Sequence, residues 1–299
     1  MTKEEAEGKR IDYRKCAAAG GILAVLLLML LSFLAGGREE EGQSVMQKAE
    51  EVKPRKEETA DEEAMTESPA EQGEEARELP RVREVEKEAV GIDVSRFQEE
   101  IDWPQVAEAG IEFAMIRIGC RGSVSGAIVE DDKARSNLQG AADSGIYAGA
   151  YFFSTAVNEA EVREEAEWVC EFLREYPIVY PVVYNCEGFQ DESSRQYRMT
   201  AEERTELAKI FLEQVEEAGY RGMFYASAGE LKDGLCWNTE ELEGQYKIWV
   251  AYYPEEYSGE EGPAYEGKYD MWQYTDEGVV PGIRTVVDRN VAYFGYELF

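Results

Sequence analysis

Across residues 16–37 no position is charged, and the centre of that run, 22–31, is apolar on every side. As a helix rising ~1.5 Å per residue, such a stretch crosses a hydrocarbon layer of ~30 Å, so a transmembrane anchor is predicted over 16–37. Arg14 and Lys15 stand before it, and Glu39, Glu40 and Glu41 follow. Basic flanks stay on the cytoplasmic side, which makes 1–15 a short cytoplasmic tail and puts everything after Gly37 outside the cell membrane. A cleaved secretory signal is the competing reading, with Ala35-Gly36-Gly37 as its small-residue site. Either way the rest of the chain is exported, as an anchored or a secreted protein. Residues 38–88 then show no aromatic and no consistent apolar period, with 18 acidic groups against nine basic ones. Too little apolar surface is available there to offset the entropy of ordering, so 38–88 reads as an acidic disordered linker. As a flexible coil it spans roughly 40 Å.

From residue 89 the pattern changes to short β-rich apolar runs alternating with helical ones. Strands are predicted at 90–94, 113–119, 147–154, 178–186, 223–226, 248–252, 271–274 and 286–291, and helices at 103–109, 131–144, 159–176 and 201–218. Thr200-Ala201-Glu202-Glu203 has the form of a capping box, and Gly219 is placed to stop the helix that it opens. Strand, helix, strand repeated over 89–299 predicts an α/β fold, a parallel (β/α) TIM-like barrel. Its last three strands are too close together for full crossover helices, so the barrel should be irregular on that side.

Composition narrows the chemistry. The 299 residues hold 63 acidic and 31 basic groups, a net charge of −32, and no histidine. Without an imidazole, Ser-His-Asp and Cys-His catalysis and His-ligated zinc are excluded, and carboxylates must do any acid-base work. So acidic a chain also argues against nucleic acid as a partner. No phosphate loop, zinc spacing or calcium loop stands out, so no cofactor or metal is expected. Cys120, Cys170, Cys186 and Cys236 lie in the exported part, either as two disulfides or as buried thiols.

In a parallel barrel the reacting groups sit where strands end and loops begin. Three acids stand at such positions: Asp93 after Gly91-Ile92, Glu187 after Tyr184-Asn185-Cys186, and Asp288 after Val286-Val287. A carboxylate next to an apolar run is expensive unless paired or functional. By strand alternation Asn185 and Glu187 share a face and Cys186 takes the other.

Gly91-Ile92-Asp93-Val94-Ser95 with Gln98, Ile101-Asp102-Trp103, Phe113 through Gly119, Gly149-Ala150-Tyr151-Phe152-Phe153-Ser154, Trp249-Val250-Ala251, Trp272-Gln273-Tyr274 and Val287-Asp288-Arg289-Asn290 occur in this order. In them the chain resembles the glycoside hydrolase family 25 lysozymes, N-acetylmuramidases acting on peptidoglycan glycan strands. The resemblance implies hydrolysis of the β-1,4 bond between N-acetylmuramic acid and N-acetylglucosamine, with Glu187 as general acid, assistance from the substrate's acetamido group, and Asp93 and Asp288 as supporting carboxylates. The first member of the family's Asp-x-Glu pair is here Asn185. An amide can still accept a hydrogen bond from the acetamido group, as in substrate-assisted endoglycosidases with an Asn-x-Glu pair, but cannot act as nucleophile or base. The alternatives are a catalytically weakened glycan-binding protein and another substrate-assisted endo-N-acetylhexosaminidase. Tyr151, Tyr225, Trp249, Trp272 and Tyr274 are either sugar-stacking walls or core, and Arg117 either orients a carboxylate or forms an ion pair inside the barrel.

Overall fold

The computed structural model describes residues 79–255, 257 and 262–299. The span read as a membrane anchor and the linker up to residue 78 lie outside the described residues. Among the described residues no helix is long and apolar enough to cross a membrane.

The chain runs β1 (Val82–Val85), β2 (Ala89–Val94), α1 (Trp103–Glu108), β3 (Phe113–Arg121), β4 (Ile128–Glu130), α2 (Ala134–Asp143), β5 (Tyr147–Phe153), α3 (Glu159–Leu173), β6 (Ile178–Asn185), α4 (Ala201–Glu217), β7 (Gly222–Ser227), α5 (Thr239–Gln245), β8 (Lys247–Ala251), β9 (Met271–Gly278), β10 (Val287–Ala292) and β11 (Gly295–Leu298). Eight strands close into a ring in the order β2, β3, β5, β6, β7, β8, β9, β10 and back to β2, with β4 added on β3. All eight predicted strands and all four predicted helices are present within a few residues of their expected ends. Thr200 and Glu203 do form the capping box of α4, and Gly219, at φ +92°, ends its last turn.

Three expectations are corrected. The barrel is mixed and not fully parallel, because β10 runs antiparallel to both β9 and β2. Only residues 279–286 join β9 to β10, and a parallel return needs a crossover of a dozen or more residues. This is the side on which irregularity was predicted. Second, the linker was drawn too long: Val82–Val85 is a strand, paired antiparallel with Gly295–Leu298. Its partner lies more than 200 residues away, so composition gave no sign of it. Third, β4, β11 and α5 were not predicted: β4 and β11 hold three and four residues, and α5 has one buried apolar residue, Leu242, so none shows a period. The four cysteines described are free thiols.

Two cores follow from strand alternation. Phe113, Met115, Val183, Met223, Trp249 and Met271 fill the barrel interior, while Ile116, Val182, Phe152, Phe224 and Phe211 lie between the barrel wall and the helices. Each such side chain, fully buried, stabilises the fold by about 1.5–3 kcal/mol. Gly91 makes room for the Phe113 ring, since a Cβ there would stand 2.3 Å from it. Below, the pair of β1 and β11 closes the barrel: Tyr296 meets Tyr180 edge-on at 5.3 Å, and Tyr180 stacks on Phe113 at 4.3 Å.

Candidate active site

The opposite end of the barrel is polar. On β2, Ala89, Gly91 and Asp93 alternate inward, so Asp93 reaches the mouth from the strand's last turn of the pleat. It is 7 % exposed. One oxygen, Oδ2, accepts amide N–H groups from Gln273 at 2.8 Å and Asn290 at 2.9 Å. Both amides are themselves held. Gln273 Oε1 accepts from the Tyr225 and Tyr253 hydroxyls at 3.0 and 2.7 Å, and Asn290 Oδ1 accepts from the Trp249 indole at 2.9 Å. Burial pushes Asp93 up to about 6; the two amide bonds oppose this and the charge of Glu187 adds to it.

Asp288 stands directly opposite Asp93 in the antiparallel register of β10 and β2. Burial raises its carboxyl well above the usual range, and Asp93, Asp276 and Glu187 raise it further. Glu187 follows β6 and is also raised by burial, against a hydrogen bond from Asn185. That bond runs from Asn185 Nδ2 to Glu187 Oε1 at 2.9 Å, which the two-residue spacing on one face predicts. Asn185 is 4 % exposed, and its Oδ1 is buried without a hydrogen-bond partner among the described residues. An unmet buried acceptor is unfavourable by about 1–3 kcal/mol, so this oxygen is poised for a donor brought by a ligand.

Asp93, Asn185, Glu187 and Asp288 are therefore brought together at one end of the barrel. The aromatic residues divide. Tyr151 and Tyr225 lie near them and meet Trp249 edge-on at 6.4 and 4.8 Å. Trp249 is 2 % exposed and supports Asn290 from below, so it is core and not a wall open to sugar. Trp272 and Tyr274 point away, because Gln273 between them is the residue of β9 that faces Asp93. Trp272 is fully buried and donates to the Tyr252 carbonyl at 2.7 Å, and Tyr274 stacks on Tyr257 at 3.9 Å on that outer side. Arg117 forms an ion pair, with Asp131 of the segment between β4 and α2: its guanidinium holds that carboxylate at 2.7–2.8 Å and lies 5.0 Å from the Phe97 ring.

Sequence reasoning missed Gln273, Asn290, Tyr253 and Asp131. The first two stand inward on β9 and β10 among other polar residues, and nothing in the sequence says which side chain such an amide meets. Tyr253 and Asp131 stand in loops and carried no signal. Among the described residues no group of three or more acidic or cysteine side chains could hold a metal ion.

Residues 92–283 match the family described as Glycosyl hydrolases family 25. Among curated relatives the chain is 29% identical over 209 residues to the uncharacterized protein YegX of Escherichia coli (strain K12), covering 67% of this chain and 68% of that one. It is 27% identical over 213 residues to Lysozyme M1 of Streptomyces globisporus, covering 67% and 66%. Among solved structures, the modular autolysin LytC from Streptococcus pneumoniae superposes with a TM-score of 0.56 at 23% identity, covering 71% of this chain. The chain spans 47% of LytC, about half its length.

Proposed function

The chain belongs to glycosyl hydrolases family 25 and is a glycoside hydrolase, and from that premise we propose that it is a muramidase, cutting peptidoglycan at the β-1,4 bond between N-acetylmuramic acid and N-acetylglucosamine. The observation that carries the finer mechanism is the pair at the end of β6. Asn185 points its amide N–H at Glu187 and leaves its buried oxygen unmet. In the proposed reaction the substrate's acetamido N–H donates to Asn185 Oδ1, and the acetamido oxygen attacks the anomeric carbon. As that bond forms, the glycosidic bond breaks and Glu187 gives its proton to the departing oxygen. The resulting oxazolinium ion is positive, and the carboxyl oxygens of Asp93 and Asp288 face it, stabilising it most strongly in whichever of the two is ionised. Water then attacks the same carbon and returns a proton to Glu187, so the sugar leaves with its configuration retained.

The proposal is tested by incubating the protein with purified peptidoglycan and identifying new reducing ends by mass spectrometry. N-acetylmuramic acid at the new ends is the expected result. Glu187→Gln, which keeps the shape and loses the proton, should lower turnover by at least 10³-fold with the unfolding free energy unchanged within about 1 kcal/mol. N-acetylglucosamine ends would point to a different endo-N-acetylhexosaminidase. Glycan binding with no new ends would favour a binding protein weakened by the amide at 185.

We also propose, from the uncharged run at 16–37 and its basic flank, that the protein is a single-pass membrane protein with its barrel outside the cell. Protease added to intact cells should release a fragment containing the barrel. Release only from lysed cells would reverse the orientation, and barrel in the medium without protease would mean signal cleavage.

A further inference from the structure

Asp93 and Asp288 face each other from β2 and β10 in the antiparallel register, and burial raises both carboxyls. They are not equally supplied with donors. Asp93 Oδ2 accepts from two side-chain amides, Gln273 Nε2 at 2.8 Å and Asn290 Nδ2 at 2.9 Å. Among the described residues no side chain donates to Asp288, which has its own backbone N–H instead. No guanidinium or ammonium among them bonds to either acid. The groups facing Asp93 are otherwise acidic, phenolic or apolar: Asp288 of β10, Glu187 after β6, Tyr151 of β5, Tyr225 of β7, Tyr253 after β8, and Met115 opposite it on β3. The two amides are therefore what favours a charge on Asp93.

An amide can present either end, so a further contact must decide which end meets the acid. At Asn290 that contact is Trp249. Its indole N–H donates to Asn290 Oδ1 at 2.9 Å, and an indole nitrogen has no capacity to accept. Turned over, Asn290 would set N–H against N–H at the indole and carbonyl against carboxylate at Asp93. The indole ring is fixed in place, being 2 % exposed with Tyr225 and Tyr151 edge-on to it at 4.8 and 6.4 Å. Gln273 is turned the same way, its Oε1 accepting from the hydroxyls of Tyr225 and Tyr253 at 3.0 and 2.7 Å. A hydroxyl can also accept, so this second clamp is less strict than the first.

We propose that Trp249 is a positioning residue: acting through Asn290, it makes Asp93 the ionised member of the facing pair and leaves Asp288 to hold the proton. Its catalytic consequence rests on the muramidase reading. There the negative charge that meets the oxazolinium ion is on Asp93, with Oδ2 clamped by the two amides and Oδ1 left for the substrate. Two facing carboxyls lose their protons in separate steps, so a protonated Asp288 also spares the mouth a second charge beside the first.

The test is carbon-13 NMR titration of both carboxyls in the 299-residue chain, with and without Trp249→Phe, which removes the N–H and keeps an aromatic ring. In the unmodified protein the Asp93 midpoint should lie below that of Asp288. In Trp249→Phe the Asp93 midpoint should rise by about one pH unit. The acid limb of kcat/KM on purified peptidoglycan should move to higher pH with it, lowering the ratio of the rate at pH 5 to that at pH 7 about fivefold. Because the smaller ring leaves space in the core, Trp249→benzothienylalanine, which exchanges the indole N–H for sulfur at nearly the same size, is measured beside it. The same shifts are expected there, whereas a purely structural role would leave the midpoint and the limb in place once the shape is kept. An Asp288 midpoint below that of Asp93, or an Asp93 midpoint unmoved by the analogue, would overturn the proposal. Midpoints that behave as expected in a protein unable to cut peptidoglycan would support the clamp and overturn the muramidase reading instead.

Discussion

Asn185 stands where the resemblance to family 25 implies an aspartate, and its surroundings say what an acid there would do. The amide donates to Glu187 at 2.9 Å, which favours the ionised form of the very group that must hold a proton. Asn185→Asp removes that donor and places a carboxylate beside the forming oxazolinium ion. About 1.4 kcal/mol of added transition-state stabilisation is tenfold in rate. Initial rates of reducing-end release should rise ten- to a hundredfold near pH 5. A loss of rate in an active protein would instead identify the amide as the working group. The pair itself was legible in the sequence, because residues two apart on a strand share a face. Gln273 and Asn290 were not read, since an amide inside a strand gains its meaning only from the side chain it meets, here Asp93 across the barrel. Trp272 and Tyr274 were left open between wall and core for a related reason. A barrel strand is covered on both faces, so aromatic residues on either side look alike in sequence.

Among the elements, the paired β1 and β11 were the least legible and have the most direct structural effect. Both lie outside the residues that match the family, 92–283, and they close the barrel end opposite the carboxylates. Tyr296 is 5 % exposed, edge-on to Tyr180, with Phe294 at 5.6 Å and the Arg221 guanidinium 4.7 Å from its ring. Truncating a buried aromatic costs about 3–5 kcal/mol, so Tyr296→Ala should lower the unfolding free energy by that much, seen as a lower denaturant midpoint at constant m. A change under 1 kcal/mol would show that these strands merely lie against the barrel. The eight barrel strands were visible because each is a β-rich apolar run bounded by turns. β1 was hidden because its residues, two valines among charges, are those of the acidic linker before it. Long-range pairing, and not local preference, makes it a strand.

At the scale of the whole molecule, acidity and burial act together on stability. The fold class was readable from alternation and spacing, but the mixed direction of β10 depends on how the ring closes, which no local pattern encodes. Closing that ring concentrates carboxyls at one mouth. Asp93 is held up to about 6 and Glu230 up to about 7, with Glu187 and Asp288 also raised, in each case by burial first. In the unfolded chain such groups titrate near 4. Between about pH 4 and 7 the folded barrel therefore binds more protons than the unfolded chain, and stability present at the acid end is lost as pH rises through the folded values. Each unit of upward shift corresponds to about 1.4 kcal/mol. The opposing groups are weaker. Glu203 is held low by the Thr200 backbone and hydroxyl at an exposed helix start, and Glu161 is held low by Arg195 against its burial. Exposed or half-exposed partnerships of this kind contribute about 0–1 kcal/mol. The excess of acids over bases adds repulsion in the same direction as the buried carboxyls, growing as they ionise. The thermal midpoint should accordingly be higher at pH 5 than at pH 8 by about 5 °C or more, given about 2–4 °C per kcal/mol in a domain of this size. Scanning calorimetry at constant ionic strength measures it. A midpoint that climbs toward pH 8 would mean that the mouth carboxyls are ionised in the folded protein at little cost, which would also remove the reservoir of protons from which Glu187 is proposed to act.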